Sequence, residues 1–74
     1  MDNNQIKKLL LKLGVLSIGV FSQFASGDSL QAIEIAKSVI KDVGDISKLE
    51  QKIDEAKRSG KKEFKNGKYT IILK

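Results

Sequence analysis

Four lysines, Lys61, Lys62, Lys65 and Lys68, stand within eight residues around the dipeptide Asn66-Gly67. An ammonium group is a compact point charge that suits phosphate oxygens or carboxylates. Asn-Gly between two short runs is the strongest local signal for a two-residue hairpin turn, because a type I′ turn needs positive φ at both central positions. A lysine-edged ribbon can lie on a phosphate backbone or dock on an acidic protein surface. The same pattern also serves as a plain solvated face that keeps a small protein soluble.

Other residues offer little chemistry. The chain has no His and no Cys, which removes the usual general base, thiolate nucleophiles, the usual zinc ligands and disulfide staples. Asp54 with Glu55, or Asp42 with Asp45, could pair for acid–base work, but they fall on exposed helical positions with no His beside them. Gly14 and Gly19 lack a third glycine and a following Lys-Ser/Thr, so no phosphate-cradling loop is present. Phe64 and Tyr69 could stack bases; a cross-strand pair facing the core is the stronger expectation. The expectation is a non-enzymatic protein with no cofactor and no metal.

Charge is unevenly placed. The 74 residues carry a net +5, with a single arginine, Arg58. Residues 57–74 hold seven bases against one acid, +6, whereas residues 14–56 hold four bases against seven acids, −3. The tail thus carries more than the whole net charge, which favours an anionic partner. A chain this short forms one domain and buries little surface, so its stability has to come from an efficient apolar core, which a second copy could share. Absence of Cys fits a reducing, cytoplasmic setting.

The elements that position the lysines follow from periodicity. Residues 3–13 form a helix. "IKKLLLKLGVLSIGVFSQFASG" has the outline of an export signal, but Lys12 interrupts the apolar run and Asp2 weakens its positive start. Its uncharged stretch, residues 13–27, is also too short to span a membrane, which takes about 20 residues. Either the helix continues to residue 24, burying Leu9, Leu13, Leu16, Val20 and Phe24, or Gly14 ends it and residues 15–21 form a strand with Leu16, Ile18 and Val20 on one face. The β-branched content favours the strand. In both cases these side chains are expected to be covered.

Asp28 as N-cap with Gln31 in capping-box position starts a helix over 29–42 with the stripe Leu30, Ile33, Ala36, Val39, Ile40 and Val43. Gly44 and Asp45 make a tight connection to a helix over 46–58, with Ile46, Leu49, Ile53 and Ala56 inward and an Asp54–Arg58 pair on its surface. Gly60 closes it. A hairpin over 61–73 follows, with strands 61–65 and 69–73. An Asn66-Gly67 turn sets Lys65 opposite Lys68, Phe64 opposite Tyr69, Glu63 opposite Thr70 and Lys62 opposite Ile71. Phe64, Tyr69, Ile71 and Leu73 then share the core face, and Lys61, Glu63, Lys65, Lys68, Thr70 and Ile72 the other. The fold class is α+β, three helices with a C-terminal β-hairpin and a short third strand near residues 15–21.

This order, carried by "SLQAIEIAKSVIKDVGDISKLEQKIDEAKRSGKKEFKNGKYTIIL", resembles the second helix, turn, third helix and wing of winged helix-turn-helix domains. The resemblance implies duplex DNA binding, with the third helix in the major groove and the hairpin on the backbone. By that likeness Ser47, Lys48 and Gln51 sit early on the reading helix, with Arg58 on the same side. Lys61, Lys65, the Asn66-Gly67 tip and Lys68 would meet phosphates. The expected function is a small basic nucleic-acid-binding regulator. The alternative is a protein-binding module or inhibitor that docks an acidic protein surface, or that forms a homodimer through its apolar N-terminal segment; a membrane partner is the least favoured.

Overall fold

The computed structural model describes residues 2–74. Its elements in chain order are α1 (Asn3–Leu13), β1 (Val15–Val20), β2 (Gln23–Ser26), α2 (Leu30–Val43), α3 (Ile46–Arg58), β3 (Glu63–Asn66) and β4 (Tyr69–Leu73). The strands form one antiparallel sheet in the order β2-β1-β4-β3. All three helices lie on one face of it, in contact with one another and with the strands.

The helices start and stop where local chemistry dictates. Asp2 accepts from the Asn4 N–H at 2.9 Å to open α1, and Gly14, at φ 72°, ends it. That left-handed residue turns the chain into β1, so residues 15–20 are strand and not a continuation of the helix. Ile6, Leu9, Leu10 and Leu13 are the buried face of α1. Ser29, not Asp28, caps α2, its Oγ accepting from the Ala32 N–H at 3.0 Å. Asp28 instead accepts from the Ser26 hydroxyl at 2.8 Å. The buried stripe of α2 runs through Ala32, Ile33, Ala36, Val39 and Ile40. Leu30 lies about 120° round the helix from its centre and is 73% exposed, against expectation. Asp45 caps α3 through the Lys48 N–H at 2.8 Å. Arg58 donates its Nε–H to the Asp54 carbonyl and not to its carboxylate.

The core is a sheet row packed under helices. Ala25, Ile18, Ile71 and Phe64 lie side by side across the four strands. Ile18 and Ile71, at its centre, are fully buried, and Ala25 and Phe64 pack against the same cluster. β1 carries a bulge between Val15 and Ser17, where Ser17 pairs with Ile72 and Val15 with Leu73. The extra residue resets the alternation, so Val15 and Ile18 both point inward although three apart. Leu16 therefore does not share the face of Ile18, as strict alternation would have it. Leu16 is 48% exposed, Phe24 56% and Phe21 96%, so of the five N-terminal side chains expected to be covered only Leu9 and Leu13 are buried, Val20 being half-buried.

β2 has no counterpart in the sequence reading. It has no β-branched residue, and it is joined to β1 by Phe21 and Ser22, which carry none of the Gly, Asn or Asp signals of a primed turn. Neither residue has positive φ. Pairing with β1 alone makes it a strand.

The C-terminal hairpin forms, with a different turn. The pairs are Asn66–Tyr69, Lys65–Thr70, Phe64–Ile71 and Glu63–Ile72, and the Leu73 N–H donates to the Lys62 carbonyl at 3.0 Å. Gly67 and Lys68 are thus the central turn residues. Gly67 has φ 59° while Asn66 and Lys68 have negative φ, the pattern of a turn with glycine first, as in type II′. Each pairing slips by two residues from the expected one, which changes partners but keeps faces. Lys65 opposes Thr70, and the expected Lys65–Lys68 repulsion does not exist.

Two outcomes follow from this packing. Replacing Ile71 by Ala should lower unfolding free energy by about 2–5 kcal/mol in urea titration, a large part of what a domain this small has. Gly67→Val should cost about 1 kcal/mol or more, whereas Asn66→Ala should change stability by less than about 0.5 kcal/mol. An Asn66→Ala loss equal to that of Gly67→Val would restore the Asn66-Gly67 turn.

Candidate nucleic-acid interface

The basic residues are gathered by the meeting of α3 with the edge strand β3. A groove of about 850 Å³ separates them. Lys52, Glu55, Ala56 and Ser59 form its helical wall; Lys61 and Lys62, which precede β3 and do not belong to it as the expected strand 61–65 had them, form the other wall with Glu63, Phe64 and Lys65 of β3, and Ile72 contributes from β4. The wall of α3 follows from helical spacing: Leu49, Ile53 and Ala56 are buried, which turns Lys52, Glu55 and Ser59 to the flank next to the hairpin. Gly60, at φ 78°, reverses the chain and brings Lys61 and Lys62 back against that flank. Four lysines against two glutamates leave the groove with an excess of two positive charges.

The expected site residues fall into three groups. Lys61 and Lys65 line the groove. Ser47, Lys48, Gln51 and Arg58 are exposed on α3, Arg58 in a shallow recess with Asp54 and Lys57 apart from the groove. Asn66, Gly67 and Lys68 form the hairpin tip beyond it. Lys52 and Lys62 also line the groove, outside the residues that the resemblance implies. Lys52 carries a signal in following Lys48 by one turn, and Lys62 in belonging to the lysine cluster around Asn66-Gly67, but the place of Lys62 in the groove depends on how the chain leaves Gly60.

Several charges are already engaged. Lys65 Nζ stands 3.5 Å from Glu63 in an exposed pair, and Lys68 Nζ lies 5.5 Å from the centre of the Tyr69 ring. Lys57 Nζ donates to the Leu13 carbonyl at the C-terminus of α1, and Lys12 pairs with Glu50 of α3 at 3.1 Å. Lys57 and Lys12 therefore tie α1 to α3 and are not part of the basic face. Phe64 and Tyr69 pack against the core, so their faces are not an open stacking platform.

Among the described residues no cluster of metal-ligating side chains occurs, and no helix is long and apolar enough to cross a membrane. Comparison with family models, with curated proteins and with solved structures finds no match to this chain.

The engaged lysines hold weak contacts. An exposed ion pair contributes about 0–1 kcal/mol and an exposed cation–π contact about 0.5–1 kcal/mol. Changing Lys61, Lys65 and Lys68 together to Gln should therefore lower stability by no more than about 1 kcal/mol in chemical denaturation. A larger loss would mean that these side chains hold the fold and are not a free recognition surface.

Proposed function

We propose that this protein is a small nucleic-acid-binding regulator that lays its hairpin lysines on a duplex backbone and presents α3 to a groove. The observation that carries the reading is the groove between α3 and β3, where Lys52 of α3 and Lys61, Lys62 and Lys65 at the start of the hairpin line one basic strip. The element order agrees in part: a helix, a strand β1 followed by the added strand β2, two helices joined by a tight turn, and a hairpin whose last strand β4 lies beside β1. In that arrangement Ser47, Lys48 and Gln51 stand exposed at the start of α3, where base edges would be read. Lys61, Lys65, Lys68 and the Asn66-Gly67 tip would meet phosphates.

A second reading draws on a separate feature. β3 is a free sheet edge beside a groove floored by Ala56, Phe64 and Ile72. An acidic segment of another protein in extended form could add to that edge, its carboxylates on the same lysines. The duplex reading is preferred because the basic surface continues past the groove to the hairpin tip, whereas a docked strand needs only the groove.

Salt dependence separates the two. Duplex affinity, followed by fluorescence anisotropy, should fall steeply as salt is raised. The Lys61, Lys65 and Lys68 to Gln variant should reduce the logarithmic slope by about 2–3, near 0.9 per lost phosphate contact. Lys52→Gln and Lys62→Gln should reduce it further, while Lys48→Ala and Gln51→Ala should alter preference among sequences. Absence of duplex binding by the wild-type protein at about 50 mM salt, where counterion release favours binding strongly, defeats this reading and leaves the acidic-protein one.

A further inference from the structure

The two edges of the sheet are chemically opposite. At β3, Lys61, Lys62, Glu63 and Lys65 crowd the edge with charges that discourage pairing with an uncharged or basic strand. At β2 there is none: no charged residue occurs from Leu13 to Gly27. One side of β2 is paired with β1, and the alternation of an antiparallel ladder leaves the N–H and C=O of every second residue pointing outward from the other. Large apolar side chains surround this edge. Phe21, in the turn before β2, is 96% exposed. On the sheet face away from the helices Phe24 lies across Gly19, so that a Cβ at Gly19 would stand 2.5 Å from the ring.

We propose that the β2 edge is a self-pairing surface, which takes β2 of a second copy of this chain antiparallel about a two-fold axis. Chemistry selects a copy over other occupants. An acidic partner gains nothing from an uncharged edge and is drawn to β3 instead. A second copy brings a strand that is equally uncharged and keeps its own lysines at the far edge, so two chains of net +5 meet where their repulsion is weakest. The strand is also self-complementary. With the axis at Phe24, Phe24 faces its mate on the outer side and Gln23 faces Ala25 on the helix side, so residues of one face meet residues of the same face throughout. The four strands of each copy continue as one sheet, and the nearest charge, Asp28, which accepts from the Ser26 hydroxyl, lies beyond the paired strands at each end of the join.

The pairing does not depend on the nucleic-acid reading and is tested without nucleic acid. If both hold, the dimer carries two α3–ribbon units related by the same axis, which fits a palindromic site. A join of four-residue strands with aromatic flanks falls in the small, transient class of interface. Sedimentation equilibrium should therefore show the average mass rising from monomer toward dimer between about 10 μM and about 1 mM. Phe24→Lys places a charge in the join and should weaken association by about tenfold or more. Phe21→Lys should weaken it too. It is the safer variant, because so exposed a side chain supports little of the monomer fold and its thermal midpoint should be unchanged. Lys65→Gln, at the opposite edge, should leave the association intact. A monomer mass over the whole range, or association that survives Phe21→Lys and Phe24→Lys alike, overturns the proposal.

Discussion

Pairing of β1 with β4 is the interaction on which the rest of the structure depends. It joins residues 15–20 to residues 69–73, the two ends of the domain, and the Lys74 N–H carries the ladder on to the Gly14 carbonyl at 2.7 Å. Ile18 and Ile71 meet at its centre without solvent exposure. Each hairpin then supplies only an outer strand, β2 on one side and β3 on the other. Since an isolated hairpin is marginal in water, both ribbons owe their stability to this central pair and to the helices packed under it. A contact of such long sequence separation closes late in entropy terms and gives a slower fold than helix packing alone.

The same pairing decides which surface is available for what. With β4 inside the sheet, β3 becomes an edge, and α3 stands next to that edge with a groove between them. The lysines of the hairpin and of α3 are brought together only by this placement. At the other side β2 is the outermost strand, and the stretch without charge from Leu13 to Gly27 becomes the opposite edge. One sheet thus separates a basic edge from an uncharged one. Helices fill the inner face, so that exposed side chains have the outer face, the edges and the outward side of α3.

Contacts between charged groups divide in the same way. Lys12 with Glu50 and Lys57 with the Leu13 carbonyl lie across the α1–α3 boundary. Both are long-range links across that boundary, the Lys12–Glu50 pair an exposed one. Lys65 with Glu63 and Lys68 with Tyr69 are local to the hairpin. An exposed local contact holds a side chain in place at low energy and is given up readily.

Local chemistry went far for the helices, although Ser29 and not Asp28 caps α2 and Leu30 lies outside its buried stripe. Asp2, Gly14, Gly44 and Asp45 each do what their side chains or lack of them permit, and the apolar spacing of α1 and α3 names the buried faces. Asn66-Gly67 announced a hairpin, and the alternation of Phe64, Ile71 and Leu73 named its core face. Tertiary structure decided what periodicity could not express. The bulge at Leu16 shifts that residue outward because Val15 and Ile18 both have to reach the core from a strand fixed against β4. β2 exists because β1 offers an unpaired edge, not because Gln23–Ser26 prefers to be extended. Turn placement moved by one residue to Gly67-Lys68, since the ladder sets Ile71 beside Ile18 and Phe64 beside Ile71, and the turn takes up whatever remains. Lys52 joins Lys61, Lys62 and Lys65 for a related reason: charge can be counted along a chain, but which charges share a groove depends on how α3 packs beside β3.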